Sequence, residues 1–335
     1  MALGVAEIMA RAGLASGEEV AWTTLKGGLS HRVLRVEAGG AHYVLRVLDP
    51  AVSAAGLGIP IQQEIENTVR AARSGVGAAV VHAADDSVVL EYIDGVTLSQ
   101  DDVRRREMIP RIAAACRRLH GGPLAFGNDF DIFRKAEELL ARCRRHDLPI
   151  PDGYADHVPL LGEIERAMSA APLPAVPCHN DLLPENFIDD GRDVRIIDYQ
   201  LSGMNDPAFE LGDIAAEADF GPHLVEALTA AYFGAEMTGA LLARVRLYLL
   251  VSNFTWTLWF AIHHGLLADR AADAVFDYDA EAADKWGQAL RDLSDPDLGR
   301  LIDLAAHRAP SRGPRPPGGP SGANALTDRS QQAGA

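Results

Sequence analysis

The chain has few cysteines, no basic excess and no long uninterrupted apolar segment, and each shortage removes a class of protein. Its three cysteines, Cys116, Cys143 and Cys178, are odd in number and show no Cys-x-x-Cys spacing. A disulfide framework and a zinc site are therefore not expected, and a reducing compartment, the cytoplasm, is. Lysine and arginine number 31 against 47 aspartates and glutamates, a formal net charge of −16. Neutralising phosphates takes clustered positive charge, so no nucleic-acid partner is expected. The most apolar run, Leu247 to Ile262, contains Ser252 and Asn253 and falls short of the roughly 20 residues of a spanning helix. It reads as a buried core helix, and no membrane partner is expected. Met1 to Leu14 lacks the basic and then apolar segments of a secretory signal. What is present is an ordinary globular mixture, 48% hydrophobic and 23% charged, over 335 residues. That length suits one large domain or two lobes.

The pattern along the chain changes character once. Val33 to Val36 and Tyr43 to Val47 alternate on either side of Ala38-Gly39-Gly40-Ala41, which predicts a β-hairpin with glycines at positive φ. Ile61 to Arg73 has helical spacing and stops at Ser74-Gly75. Ala78 to His82 and Val88 to Tyr92 read as further strands, and Asp94-Gly95 then breaks the pattern. Beyond it the spacing predicts helices over Asp101 to His120, Ile132 to Arg145 and Ala155 to Ala170. Strand-like runs return only at Val176 to Cys178, Phe187 to Ile188 and Val194 to Ile197, and from Pro207 to His307 the chain reads as helical. The expected fold class is α+β, with a small mainly antiparallel β lobe over residues 1–93 and a large mostly helical lobe over 94–308. Residues 309–335, rich in Pro, Gly and Ser, are expected to be a disordered tail.

The segment with chemistry in it is Cys178-His179-Asn180-Asp181-Leu182-Leu183-Pro184-Glu185-Asn186-Phe187, followed by Ile196-Ile197-Asp198-Tyr199. It sets His-x-Asp-x-x-x-x-Asn between two short apolar strands. Phosphoryl transfer needs each of these groups. One carboxylate must take or orient the proton of the attacking hydroxyl, which suits Asp181. An amide and a second carboxylate must hold Mg²⁺ against the phosphates, which suits Asn186 and Asp198. His179 fits a bracing role by hydrogen bonding better than that of a base. Any one of these residues alone would read as part of an Asx-rich turn; the joint spacing is what carries the argument.

These residues resemble the aminoglycoside phosphotransferase and choline kinase superfamily, whose members share the protein-kinase fold. The choline and ethanolamine kinase branch is the nearer match, through Asp198 to Pro207, Phe209-Glu210-Leu211-Gly212-Asp213 and Trp256-Thr257-Leu258-Trp259. The resemblance implies ATP and Mg²⁺ as cofactors. It puts Gly28 and Ser30 in a phosphate-covering loop and Arg46 at the third-strand phosphate position. Glu64, rather than Glu66, becomes the partner of Arg46 on the following helix. Glu91 to Ile93 matches the hinge whose backbone would hold adenine. One departure stands out: the family commonly has Glu two residues after the metal-binding Asp, and here that residue is Gln200.

For the acceptor, the resemblance implies a small cationic alcohol, choline or a related amino alcohol such as ethanolamine. Trp256 and Trp259, three apart on one helix, would offer aromatic faces to a quaternary ammonium, with Glu217 nearby. Packing is the ordinary role of such a Trp pair, and of Tyr248, Tyr278 and Trp286. The alternatives are an aminoglycoside or thiamine phosphotransferase or, in another class, an inactive kinase fold serving as a binding module. Neither the oligomeric state nor a role for the tail follows from these residues.

Overall fold

The computed structural model describes residues 4–15, 20–25, 30–267 and 276–307. Gly28 and the expected tail over 309–335 lie outside the described residues. A short helix α1 (Val5–Arg11) precedes strands β1 (Ala21–Thr24), β2 (Arg32–Ala38) and β3 (Ala41–Val47). Then come α2 (Pro50–Ala54), α3 (Ile61–Arg73), β4 (Val80–Ala84) and β5 (Ser87–Glu91). The strands form one antiparallel sheet in the order β1-β2-β3-β5-β4. The β2–β3 turn is made by Gly39 and Gly40, at φ 57° and 75°, conformations that a side chain would disfavour.

Pleating gives this sheet two uses. Leu34, Val36 and Leu45 point to one face, where Ile8 and Met9 of α1 cover them. Val33 pairs with Arg46, so Arg46 projects from the opposite face. That face looks toward the rest of the molecule, because Arg46 reaches Asp198 across 152 residues of sequence. Three elements here escaped the sequence reading. β1 is exposed along its whole length and shows no alternation, while α1 and α2 are at most seven residues long.

After Glu91 the chain leaves the sheet. β6 (Val96–Thr97) pairs instead with β8 (Phe187–Asp189), which pairs with β9 (Val194–Ile196). A second ribbon joins β7 (Val176–Cys178) to β10 (Gly203–Asn205). These short ribbons frame the segment from His179 to Ser202. Around them pack α4 (Gln100–Val103), α5 (Ile109–His120), α6 (Ile132–Arg145), α7 (Val158–Ala170), α8 (Pro207–Glu217) and α9 (Pro222–Phe233). The last helices are α10 (Gly239–Leu267), α11 (Tyr278–Leu293) and α12 (Leu298–Ala305).

The single helix expected over Asp101 to His120 is two. Ser99 caps α4 with a reciprocal Ser99–Asp102 capping box, and Pro110 falls in the first turn of α5. Proline is accepted there and rejected in a helix interior, so it marks a fresh start. Pro159 does the same for α7, which begins after a 3-10 turn over Tyr154–His157 rather than at Ala155. The apolar run from Leu247 lies inside a 29-residue helix, α10. By length and composition α10 could cross a membrane, yet 89% of its apolar window is buried inside the protein. It packs against α6, α8, α11 and α12, and is the core about which the larger lobe is built.

Candidate active site

Asp181 sits on a loop with almost no backbone–backbone bonding of its own, and side chains take over that work. Four consecutive amides donate to side chains: His179 and Asn180 N–H to the two oxygens of Glu210 at 2.8 Å each, Asp181 N–H to His179 Nδ1 at 3.3 Å, and Leu182 N–H to Asp213 Oδ2 at 2.8 Å. Glu210 and Asp213 are three apart on α8 and so share a face. His179 Nε2 donates to the Ile197 carbonyl at 2.8 Å, which leaves Nδ1 as the acceptor and the ring neutral. Burial lowers its pKa and so reinforces that state. Asn180 adopts φ 68° and is locked there by bonds to the Leu201 carbonyl and from Asn205 Nδ2. Asn186 closes the loop by donating from Nδ2 to the Asp181 carbonyl at 2.8 Å, so its amide oxygen is the atom left to meet a ligand.

Electrostatics separate the carboxylates. Burial, then the charges of Asp213, Glu217 and Asp198, push the Asp181 carboxyl well above its ordinary pKa, opposed by Lys285. Burial would also raise Asp198, but the charge and hydrogen bond of Arg46 outweigh it and hold it below the usual value. Asp198 itself sits at φ 70°, a left-handed conformation rare outside glycine and typical of residues constrained for function.

Arg46 draws the two lobes together. Its Nη2 lies 2.6 Å from Asp198 Oδ1 and 3.1 Å from Glu64 Oε1, and only 5% of it is exposed. The Glu64 contact is ionic rather than an aligned hydrogen bond, since that oxygen and Arg46 Nε are both buried without hydrogen-bond partners. A buried guanidinium with a donor to spare fits an anionic oxygen such as that of a phosphate. Glu64 is steadied by His31, whose Nδ1 accepts from the Asp49 N–H at 3.0 Å while Nε2 donates to Glu64 Oε2 at 3.2 Å. Glu66, two residues on, pairs with Arg70 at the surface instead.

Gln200 is held through its amide nitrogen. Its Nε2 donates to the Leu57 carbonyl at 2.8 Å and to Ser30 Oγ at 3.0 Å. Glu91 is bonded through its side chain, Oε1 accepting from the Ala79 N–H and from Arg195, each at 2.9 Å, and its own N–H goes to the Ala79 carbonyl. Ile93 packs against the apolar cluster of Leu48, Ile65, Ala78, Val88 and Leu90.

On the other side of Asp181 lie α8, α10 and α11. Asp213 Oδ1 accepts from Ser252 Oγ at 2.8 Å and Trp256 Nε1 at 2.9 Å. Trp259 Nε1 donates to the Leu57 carbonyl at 3.2 Å. Both tryptophans are buried, and both indole N–H groups are spent on protein acceptors. Glu217 Oε1 pairs with Lys285 Nζ at 2.8 Å. Tyr248 donates to Asp206, Tyr278 stacks on His263, and Trp286 packs with Tyr154 and Phe254, as core residues do.

The match to the model of the phosphotransferase enzyme family covers residues 21–248, most of the chain and the constellation from Arg46 to Glu217, and stops short of Trp256, Trp259 and Lys285. The chain belongs to that family, in its choline/ethanolamine kinase branch. The branch rests on a choline/ethanolamine kinase family protein from Mesorhizobium loti, 31% identical, whose structure matches with a TM-score of 0.71 over 89% of this chain and 98% of that one. The protein LicA of Haemophilus influenzae is 26% identical over 70% of each chain. A structure of LicA in complex with AMP matches with a TM-score of 0.66 at 20% identity, covering 87% of this chain and 96% of that one. The phosphotransferase fold is therefore two-lobed, as the switch from strands to helices led one to expect, and protein-kinase-like, as the resemblance implied.

Within this phosphotransferase, the structure links Asn186 to Asp181 by a hydrogen bond and Arg46 to Asp198 and Glu64 by ion pairs, with the charges of Asp198 and Glu217 felt at Asp181. Trp256 joins them through Asp213, and Trp259 through the Leu57 carbonyl that Gln200 also meets. The sequence reading gave no role to Glu210, Asp213 or Lys285. For the first two a signal existed: acids one helical turn apart on a largely apolar helix that follows the motif.

Proposed function

We propose that this phosphotransferase is an ATP-dependent kinase that moves the γ-phosphate to the primary hydroxyl of choline or a related amino alcohol such as ethanolamine. The observation that carries this reading is Asp181, pinned by four side-chain-bonded amides, bonded to Asn186 and near Asp198, which Arg46 holds. Asp181 would accept the proton of the acceptor hydroxyl and aim its oxygen for in-line attack. Its raised pKa suits a group that must take a proton during the reaction. Arg46, held by Glu64, would neutralise the phosphates, and its unpartnered Nε supplies a donor for them. Gly28 and Ser30 would cover the phosphates, and Glu91 and Ile93 would edge the adenine. Asn186 and Asp198 present hard oxygen atoms of the kind that hold Mg²⁺, whose charge would draw the phosphates together when bound. Glu217, Trp256 and Trp259 would receive the cationic end of the acceptor. We assign nucleotide binding to residues 1–93, acceptor binding to 94–308, and the activity to the cytoplasm, in keeping with three buried free cysteines.

The test is ADP release with Mg·ATP against choline, ethanolamine, thiamine and kanamycin, with Asp181→Asn alongside. Turnover on choline or ethanolamine that falls about 10²–10⁴-fold in the variant is expected. A folded Asp181→Asn protein with full turnover would sink the mechanism, and turnover on kanamycin alone would sink the acceptor.

A further inference from the structure

The amino-alcohol reading leaves open which ammonium the acceptor carries, and Lys285 bears on that choice. It projects from α11 to Glu217 at the C-terminal end of α8, with Nζ 2.8 Å from Glu217 Oε1. Both side chains are buried, 4% and 6% exposed, and Nζ also lies 3.3 Å from the Ala216 carbonyl. Its positive charge is felt at Asp181 and at Glu281 on the preceding turn of α11. The acidic residue best placed to meet a cationic acceptor therefore already has a cation of the protein's own.

Of the neighbouring carboxylates, Asp213 and Glu210 are engaged too, while Glu281 lies partly exposed on α11. Asp213 accepts three hydrogen bonds, from Leu182, Ser252 and Trp256. Glu210 gives both oxygens to the catalytic loop. Asp181 is committed to the acceptor hydroxyl in the proposed reaction. The site keeps a negative field, three carboxyls (Asp181, Asp213 and Glu217) facing one ammonium, but few acceptor atoms that are free.

Those two properties act differently on two kinds of cation. A primary ammonium has three N–H groups, and each one buried without an acceptor is penalised. A quaternary ammonium has none; it asks only for negative potential and apolar or aromatic surface.

We propose that Lys285 is a specificity-determining residue: by holding Glu217 in an internal ion pair it makes the acceptor site select a quaternary ammonium, as in choline, over a primary one, as in ethanolamine. The inference rests on the amino-alcohol kinase reading and adds to it a residue and a direction.

The experiment measures kcat and KM for choline and ethanolamine, at saturating Mg·ATP, in wild type, Lys285→Arg, Lys285→Met and Lys285→Met/Glu217→Met. Wild type is expected to favour choline at least tenfold in kcat/KM. Lys285→Arg keeps the cation and should keep that ratio. Lys285→Met frees Glu217 to accept from a primary ammonium, and the ratio should fall at least tenfold through the KM for ethanolamine. A merely structural lysine would instead weaken both substrates alike and leave the ratio alone, which would overturn the proposal. The single variant leaves a buried carboxylate unpaired and risks unfolding; the double variant removes both charges and is the safer fold. With no carboxylate to free, it should retain the preference for choline, and equal use of ethanolamine by it would also overturn the proposal. Wild type preferring ethanolamine refutes the role of Lys285 while leaving the kinase reading intact. Wild type phosphorylating neither alcohol refutes both.

Discussion

At position 200 a single amide does what the family's usual carboxylate could not. The Leu57 carbonyl accepts from both Gln200 Nε2 and Trp259 Nε1, so the group facing it must be a donor. Gln200→Glu would set an acceptor against that carbonyl and remove the bond to Ser30, in a side chain only 6% exposed. A loss of about 1–3 kcal/mol in stability is expected, read as a lower midpoint in urea unfolding. A more stable variant would show that position 200 faces a cation after all. The residues proposed to act through their own side chains, Asp181, Asn186 and Asp198, declare themselves by spacing. Glu210 and Asp213 act on backbone amides, which have no sequence signature, so their partners could not be read in advance.

Among the elements, α8 bears the most on the site and tolerates the least change. Gly212 lies where α8 crosses α10, and a Cβ there would meet Tyr248 Cβ at 2.7 Å and Leu249 N at 2.8 Å. Backbone cannot step aside as a side-chain tip can, so Gly212→Ala should destabilise the fold by about 1–3 kcal/mol. Because Glu210 and Asp213 ride on the same helix, the folded fraction should also show a reduced kcat, measured with the preferred alcohol. An unchanged kcat with lowered stability would separate the helix position from catalysis. Long periodic elements such as α3 and α6 were readable to the residue, since amphipathic spacing survives in them. The break between α4 and α5 turned on Pro110, whose effect a periodic reading of Asp101 to His120 averaged away. β6 and β10, two and three residues long, are set by pairing partners distant in sequence rather than by propensity.

For the whole molecule, the buried acid cluster makes stability depend on pH in a defined direction. Burial and the charge of Glu217 push the Asp213 carboxyl from 3.8 up to about 7. Folding therefore takes up a proton between those values, and the contribution of this group is complete below the lower one and lost as pH rises through the higher. Between pH 5.5 and 8 the loss is about 2 kcal/mol. Asp213→Asn should lack it, while His179, whose pKa is lowered and whose effect runs the opposite way, contributes to both proteins alike. Unfolding measured across that range should show wild type falling relative to the variant; parallel curves would refute the assignment. The two-lobed plan was visible as a change from two-residue to helical spacing. The way the lobes meet, through Arg46 on Asp198 and Gln200 on Ser30, was not, because each contact joins residues more than 150 apart.

The suspension of the catalytic loop from α8 has a kinetic signature. Amide hydrogens in loops ordinarily trade with deuterium quickly, since nothing holds them but water. Those of His179, Asn180 and Leu182 are capped by carboxylates that belong to a core helix, so they can exchange only when α8 itself gives way. A stretch without secondary structure should thus keep the slow clock of the protein interior, and Glu210→Gln should set the first two amides ticking ahead of the third.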